Sequence, residues 1–163
     1  MEENKGQNED TLIFRKWFDS KNIPYILMEQ SQNTFSQYFK KEKIKRPDIL
    51  LFLKNKPLMV EIKRKNQIYA PYSQMPRLYF SKEEVLKYNR FEKHFKIPVW
   101  FAITVFDYGD LQTMGKYYWI TNSRIPDLGT EEKQKERFKM PLKSLLEVDI
   151  DDTIAGLIKK LKG

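Results

Sequence analysis

The chain has 163 residues, with 30 Lys and Arg against 22 Asp and Glu, a formal charge of +8, one histidine and no cysteine. That composition excludes a disulfide scaffold, a cysteine-based zinc site and a histidine-rich metal centre within one chain, and it fits a reducing compartment. An apolar content of 40% with 14% aromatics argues against disorder over most of the chain, and the basic excess points toward a polyanionic partner, DNA or RNA.

The length fits one domain. No apolar run approaches the roughly 18 residues of a membrane span and the start is not signal-like, so a cytoplasmic or nucleoid-associated protein is expected. Residues 1–9 are polar and read as frayed. From Asp10 to Lys21, Ile13, Phe14, Trp17 and Phe18 recur at helical spacing, which predicts an amphipathic first helix. PYILME reads as a short strand, and residues 30–45, polar with Phe35, Tyr38 and Phe39 interspersed, as a loop or a short helix. Asp48–Leu53 and Leu58–Lys63 are strands joined by a KNKP turn, with Pro57 at the entry of the second, where a missing amide costs little. Residues 66–80 resist assignment.

Ser81 followed by Glu84 has the form of a capping box opening a second helix, with Val85, Tyr88, Phe91 and Phe95 on its buried side. His94, near the end of that helix, reads as a solvated residue. VWFAITVF is the most continuous apolar run and predicts a central strand; KYYWIT predicts another. Residues 130–137 are charged and read as a solvated helix or loop. Asp151 or Asp152 is expected to cap a last helix carrying Ile154, Leu157, Ile158 and Leu161. The order implies an α/β fold, a sheet with helices packed on it, over a single domain spanning 1–163.

The hairpin carries the chemistry. Side chains alternate along a strand, so Glu61 and Lys63 share a face while Val60 and Ile62 take the other. Twelve residues separate Asp48 from Glu61, enough for a strand, a turn and most of a second strand, which brings the two carboxylates together. Paired carboxylates repel, and a divalent cation removes the penalty; oxygen ligands of this kind suit Mg²⁺, with Mn²⁺ as a substitute. Lys63 beside them can stabilise a developing negative charge, or orient or deprotonate a water.

Pro47-Asp48 followed by Glu61-Ile62-Lys63 resembles the signature of the PD-(D/E)xK nuclease superfamily, which includes type II restriction enzymes and archaeal Holliday junction resolvases. The likeness continues through Tyr69–Leu78, the helix ending in Phe91-x-x-x-Phe95, the strand of Ile97–Val105 and Tyr117–Thr121, and so covers about residues 9–121. It implies a restriction-endonuclease-like fold, a mixed central sheet flanked by helices with an α-β-β-β-α-β core. It further implies that Asp48 and Glu61, with the Ile62 carbonyl, are metal ligands, that Lys63 is the catalytic lysine, and that Glu9 or Asp10 on the first helix supplies a further acid. Gln74 becomes a water or backbone contact at the site. On that fold Arg64 and Lys65 leave the active strand toward the cleft as phosphate contacts, flanked by Lys43, Lys45 and Arg46.

The implied activity is Mg²⁺-dependent endonuclease cleavage of DNA, at a duplex or at a branch or junction, by a homodimer. Its rivals are a restriction-type or transposon-end nuclease that reads a specific site, and a non-cutting nucleic-acid-binding module. Three departures from the small resolvases stand out: the polar segment 30–45, added turns in the second helix, and residues 122–163, which have no counterpart there and read as a C-terminal appendage.

Overall fold

The computed structural model describes residues 5–28, 36–66, 68–69, 76–107, 111–112, 116–149 and 151–161. In chain order the elements are α1 (Lys5–Ser20), β1 (Tyr25–Leu27), α2 (Gln37–Lys41), β2 (Ile49–Leu53), β3 (Lys56–Asn66), β4 (Ile68–Tyr69), β5 (Pro76–Ser81), α3 (Lys82–Phe95) and β6 (Val99–Asp107). There follow β7 (Leu111–Gln112), β8 (Lys116–Thr121), α4 (Ile125–Leu128), β9 (Thr130–Glu132), β10 (Arg137–Pro141), β11 (Leu146–Asp149) and α5 (Ile154–Leu161).

The central sheet runs β1-β2-β3-β6-β8-β11, with β7 on β6. Its β3–β6 pair is parallel and the other pairs are antiparallel, so the sheet is mixed. Along β6, Val99, Phe101, Ile103 and Val105 face one apolar cluster, shared with α3 and β5. Trp100 and Ala102 face the other, shared with α1 and α5. Burial on both faces is why VWFAITVF is apolar without alternation. The fold is therefore α/β with helices flanking a mixed sheet, a restriction-endonuclease-like architecture. Among the described residues, no helix is long and apolar enough to cross a membrane.

Several expectations need correction. The first helix begins at Lys5, not Asp10. Its opening turns are polar, so periodicity could not reveal them, and a helix already nucleated by docked turns extends at little cost. The β2–β3 turn is Lys54-Asn55 alone, both at positive φ (46° and 64°), with Lys56 and Pro57 already paired to Leu53 and Phe52. That is the two-residue hairpin geometry whose twist matches the strands.

Residues 130–137 are neither a solvated helix nor a loop throughout: β9 and β10 join β5 and β4 in a second antiparallel sheet, ordered β4-β5-β10-β9. In β10 the charges of Arg137 and Lys139 sit on one face, while Phe138 and Met140 are buried on the other. β11 pairs with β8 along Leu146–Asp149, so the segment after 121 extends the central sheet.

α5 is capped by Thr153, whose Oγ1 accepts from the Gly156 amide at 3.1 Å. Asp152 instead takes the Asp149 amide (2.7 Å) and the Lys160 ammonium (2.6 Å). Thr153→Ala should cost about 1 kcal/mol of stability, read as a lowered urea midpoint with unchanged slope; Asp151→Ala should cost much less.

Candidate active site

The hairpin register fixes the site. Ile49 pairs with Val60 across the β2–β3 ladder, and one step further places Asp48 opposite Glu61. Ile49 and Val60 point into the α1 cluster, so Asp48 and Glu61 point the other way, toward α3. The Ile62 amide donates to Asp48 Oδ2 at 2.9 Å, tying the carboxylate to the strand that carries Glu61.

Glu61 is 4% exposed, and its two oxygens differ. Oε1 receives Lys63 Nζ and Lys45 Nζ, each at 3.1 Å. Oε2 is buried without a hydrogen-bond partner. The same two ammonium groups also reach Glu84 Oε1 on the first turn of α3, Lys63 at 2.6 Å and Lys45 at 2.7 Å. Two carboxylates and two lysines thus alternate around a closed ring of charge. Tyr88, one turn further along α3, is fully buried; it feels the Glu61 charge yet stays outside hydrogen-bond geometry.

The electrostatics follow from this packing. Burial, and then the Glu61 charge, push the Asp48 carboxyl up to about 7, against which the Ile62 amide pulls only partly. Burial would raise Glu84 too, but Lys63 and Lys45 outweigh it and hold it below the ordinary carboxylate range. Lys45 is the mirror case: burial lowers it, and Glu61 with Glu84 more than restores it. Burial and then the Tyr88 surroundings of negative charge, Glu61 first, hold that phenol well above its usual value, so it stays protonated.

Asp48, Glu61, Ile62, Lys63 and Arg64 line one cleft of about 230 Å³ together with Asp10 and Thr11 of α1. Of the two candidate acids on the first helix, Asp10 lines that cleft. Glu9 is placed only by its backbone, one residue earlier on α1, and its side chain lies outside the described residues. Gln74 also lies outside them. Among the described residues no three acidic or histidine side chains are gathered closely enough to cage a cation.

What is present is a facing pair of carboxylates. Its donor chemistry fits a divalent cation in two respects. Glu61 Oε2 is an acceptor withdrawn from water without a hydrogen-bond partner, and burial, then the negative charge opposite, favours the protonated form of Asp48. A hard cation would satisfy the first and relieve the second.

The basic residues divide. Arg64 is exposed at the cleft, and Lys43 is exposed beside α2. Lys45, expected as a phosphate contact, lies in the charge ring with 37% of its side chain exposed. Lys65 shares the inward face of β3 with Glu61 and Lys63: it donates to the Tyr79 carbonyl and rests over the Phe80 ring, 4.7 Å from its centroid. Burial, and then Lys63, lower its pKa to about 8. Arg46 is half-buried between Lys45 and Pro47.

Glu84 is the residue that sequence reasoning missed. The capping-box reading is half right, since Ser81 Oγ accepts from the Glu84 amide at 3.4 Å, but the Glu84 side chain turns to the lysines instead of back to the cap. The available signal was its place one turn before Tyr88, on the face that α3 turns to the sheet. Glu84→Gln should lower the urea unfolding free energy by about 1–3 kcal/mol, because Lys45 and Lys63 would then share the single carboxylate of Glu61.

No protein-family model and no curated protein sequence matches the chain. Among solved structures it is similar to a Holliday junction resolvase from the archaeal hyperthermophile Archaeoglobus fulgidus. That similarity has a TM-score of 0.57 and 14% identity, over 88% of this chain and 95% of that one. A nuclease from a fusselovirus aligns with a TM-score of 0.46 and 15% identity, over 95% of this chain and 87% of that one. At this identity the resolvase shows a shared fold.

Proposed function

We propose that the protein is a divalent-metal-dependent nuclease that hydrolyses DNA phosphodiester bonds at the Asp48–Glu61–Lys63 site, with residues 1–163 acting as one nuclease unit. The observation that carries this reading is the facing of Asp48 and Glu61 across the β2–β3 ladder, with Glu61 Oε2 unpartnered and Lys63 on the same face. The fold shared with a junction resolvase supports it. Asp48 and Glu61 would hold Mg²⁺ or Mn²⁺, beside the Ile62 carbonyl; the ion supplies Lewis-acid polarisation of a phosphate oxygen and activation of water.

The protein's own groups do the rest. The Ile62 amide fixes the Asp48 carboxylate, and Glu84 and Glu61 hold the Lys63 ammonium over the site, where it meets charge developing on the phosphate. Arg64 at the cleft mouth positions the phosphate backbone without reading bases. Symmetric paired cuts need two sites, so a homodimer acting on branched or junction DNA is the substrate reading we adopt.

The test offers linear duplex, forked duplex and a four-way junction to the wild type in Mg²⁺ and in EDTA. Cutting in Mg²⁺ alone, with paired nicks at the junction, is the expected result. Cutting of the linear duplex at one sequence would replace the junction reading with a site-specific one. Equal cutting in EDTA would overturn the metal-dependent mechanism.

A further inference from the structure

α2 docks on the C-terminal half of α3 through aromatic rings. Phe39 meets Phe95 edge-on at 5.5 Å, and the Tyr38 ring lies 5.2 Å from His94, tilted by 36°. Between the helices runs an open cleft of about 420 Å³ lined by Tyr38, Glu42, Ile44, Arg90, Lys93 and His94. Tyr38 is 50% exposed and Phe95 38%, high values for large rings: His94 packs against Tyr38, and half of the tyrosine remains open to solvent. Lys40, Lys41, Lys43 and Lys96 are exposed around the cleft. Glu42 is the one carboxylate among its lining residues. The surface is thus cationic with a ring platform, the combination that holds single-stranded nucleic acid, because an unpaired base offers a free face to stack while a paired base does not.

The cleft is also joined to the catalytic site through the chain. The chain leaves α2 through Lys43 and Ile44 directly to Lys45 of the charge ring, and Arg90 clamps the turn by donating to the Lys43 carbonyl at 3.5 Å. α3 carries Glu84 in its first turn and Lys93 in its last.

We infer that the α2–α3 cleft binds an unpaired stretch of the substrate strand, a base stacked on the Tyr38–His94 platform and phosphates on Arg90 and Lys93. The preferred substrate then carries a single-stranded arm beside the cut. This rests on the nuclease reading for the position of the cut, but the arm-binding site stands on its own geometry.

The test is fluorescence anisotropy in EDTA, comparing a blunt duplex with the same duplex carrying an oligothymidylate tail at either end. The wild type should bind the better tailed duplex about tenfold more tightly than the blunt one. Tyr38→Ala and His94→Ala should bring that ratio toward one, and Tyr38→Phe should keep it. Lys93→Glu should weaken tailed binding and flatten its salt dependence.

Equal binding of tailed and blunt duplex by the wild type would overturn the inference, as would an undiminished ratio in Tyr38→Ala. Loss of the ratio in Tyr38→Phe would assign the effect to the hydroxyl and overturn stacking. Tail preference without cleavage would sink the nuclease reading and leave this site standing; cleavage with no tail preference would do the reverse.

Discussion

Lys63→Met lowers the rate of Mg²⁺-dependent DNA cleavage about 10²–10⁴-fold, the span expected when a positioned proton-transfer or charge-stabilising group is removed. The expectation rests on placement. Lys63 stands two residues beyond Glu61 on one face of β3, with its ammonium held at 3.1 Å from Glu61 and 2.6 Å from Glu84. A group held from two sides needs little reorganisation when the phosphate acquires charge.

Methionine keeps the length and apolar stem, so the fold should survive; Glu84 and Lys45 would remain paired. Single-turnover rates at saturating enzyme separate the chemical step from binding. Affinity for DNA in EDTA should change much less, because Arg64 and Lys43 remain available to phosphates. An arginine at position 63 refines the assignment, since a guanidinium stays charged and cannot act as a base. Activity recovered by Lys63→Arg would mean that the charge matters, and continued loss would favour proton transfer or the exact reach of the ammonium.

The second large effect is on stability, and its sign is opposite to that of most active-site changes in a core. In the metal-free protein, Asp48→Asn should be more stable than the wild type above pH 7. The Asp48 carboxyl is held at about 7 in the fold, against 3.8 as its ordinary value. A carboxyl raised by folding binds its proton more tightly in the native state, so its contribution to stability falls as pH rises from the ordinary value to the folded one, and is flat beyond. Below pH 4 wild type and variant should therefore differ little from this cause, and the gap should open through pH 4–7. The full shift corresponds to at most about 4 kcal/mol, and solvent at the cleft should screen it to about 2 kcal/mol, or about 4–8 °C in Tm for a chain of this size.

Asparagine can still accept from the Ile62 amide, so the loss of the charge is isolated from the loss of that bond. Adding Mg²⁺ should raise the wild-type Tm, as binding to the native state alone must, and should barely move Asp48→Asn. Melting curves of the two proteins at pH 5 and pH 8, with and without Mg²⁺, read the whole effect. A wild type more stable than the variant at pH 8 without metal would contradict it.

Much of this was legible because the relevant signals are local. The hairpin and the facing of Asp48 with Glu61 follow from strand alternation and a count of residues; a one-residue slip would have turned both carboxylates to the α1 face. The central strand was legible from its apolar run, and the buried tryptophans Trp17, Trp100 and Trp119 from pattern.

What escaped depends on partners distant in sequence. β5 and β10 are short, and each buries its alternating apolar residues only in the tertiary cluster they share with α3 and β6. Seen singly, Arg137–Pro141 is a charged stretch. Glu84 looked like half of a capping box because its lysines lie 21 and 39 positions away. Lys45 and Lys65 read in sequence as phosphate contacts, because nothing local says that a lysine will also meet a buried carboxylate or a carbonyl.

The most direct measurement is single-turnover cleavage by the wild type and by Asp48→Ala, side by side, in Mg²⁺ and in EDTA, on whichever DNA form the wild type cuts fastest. The account predicts cutting by the wild type in Mg²⁺, none in EDTA, and a loss of at least about 10²-fold in Asp48→Ala with DNA binding retained. Undiminished cutting by Asp48→Ala would contradict it and would place the chemistry, if any, elsewhere on the molecule.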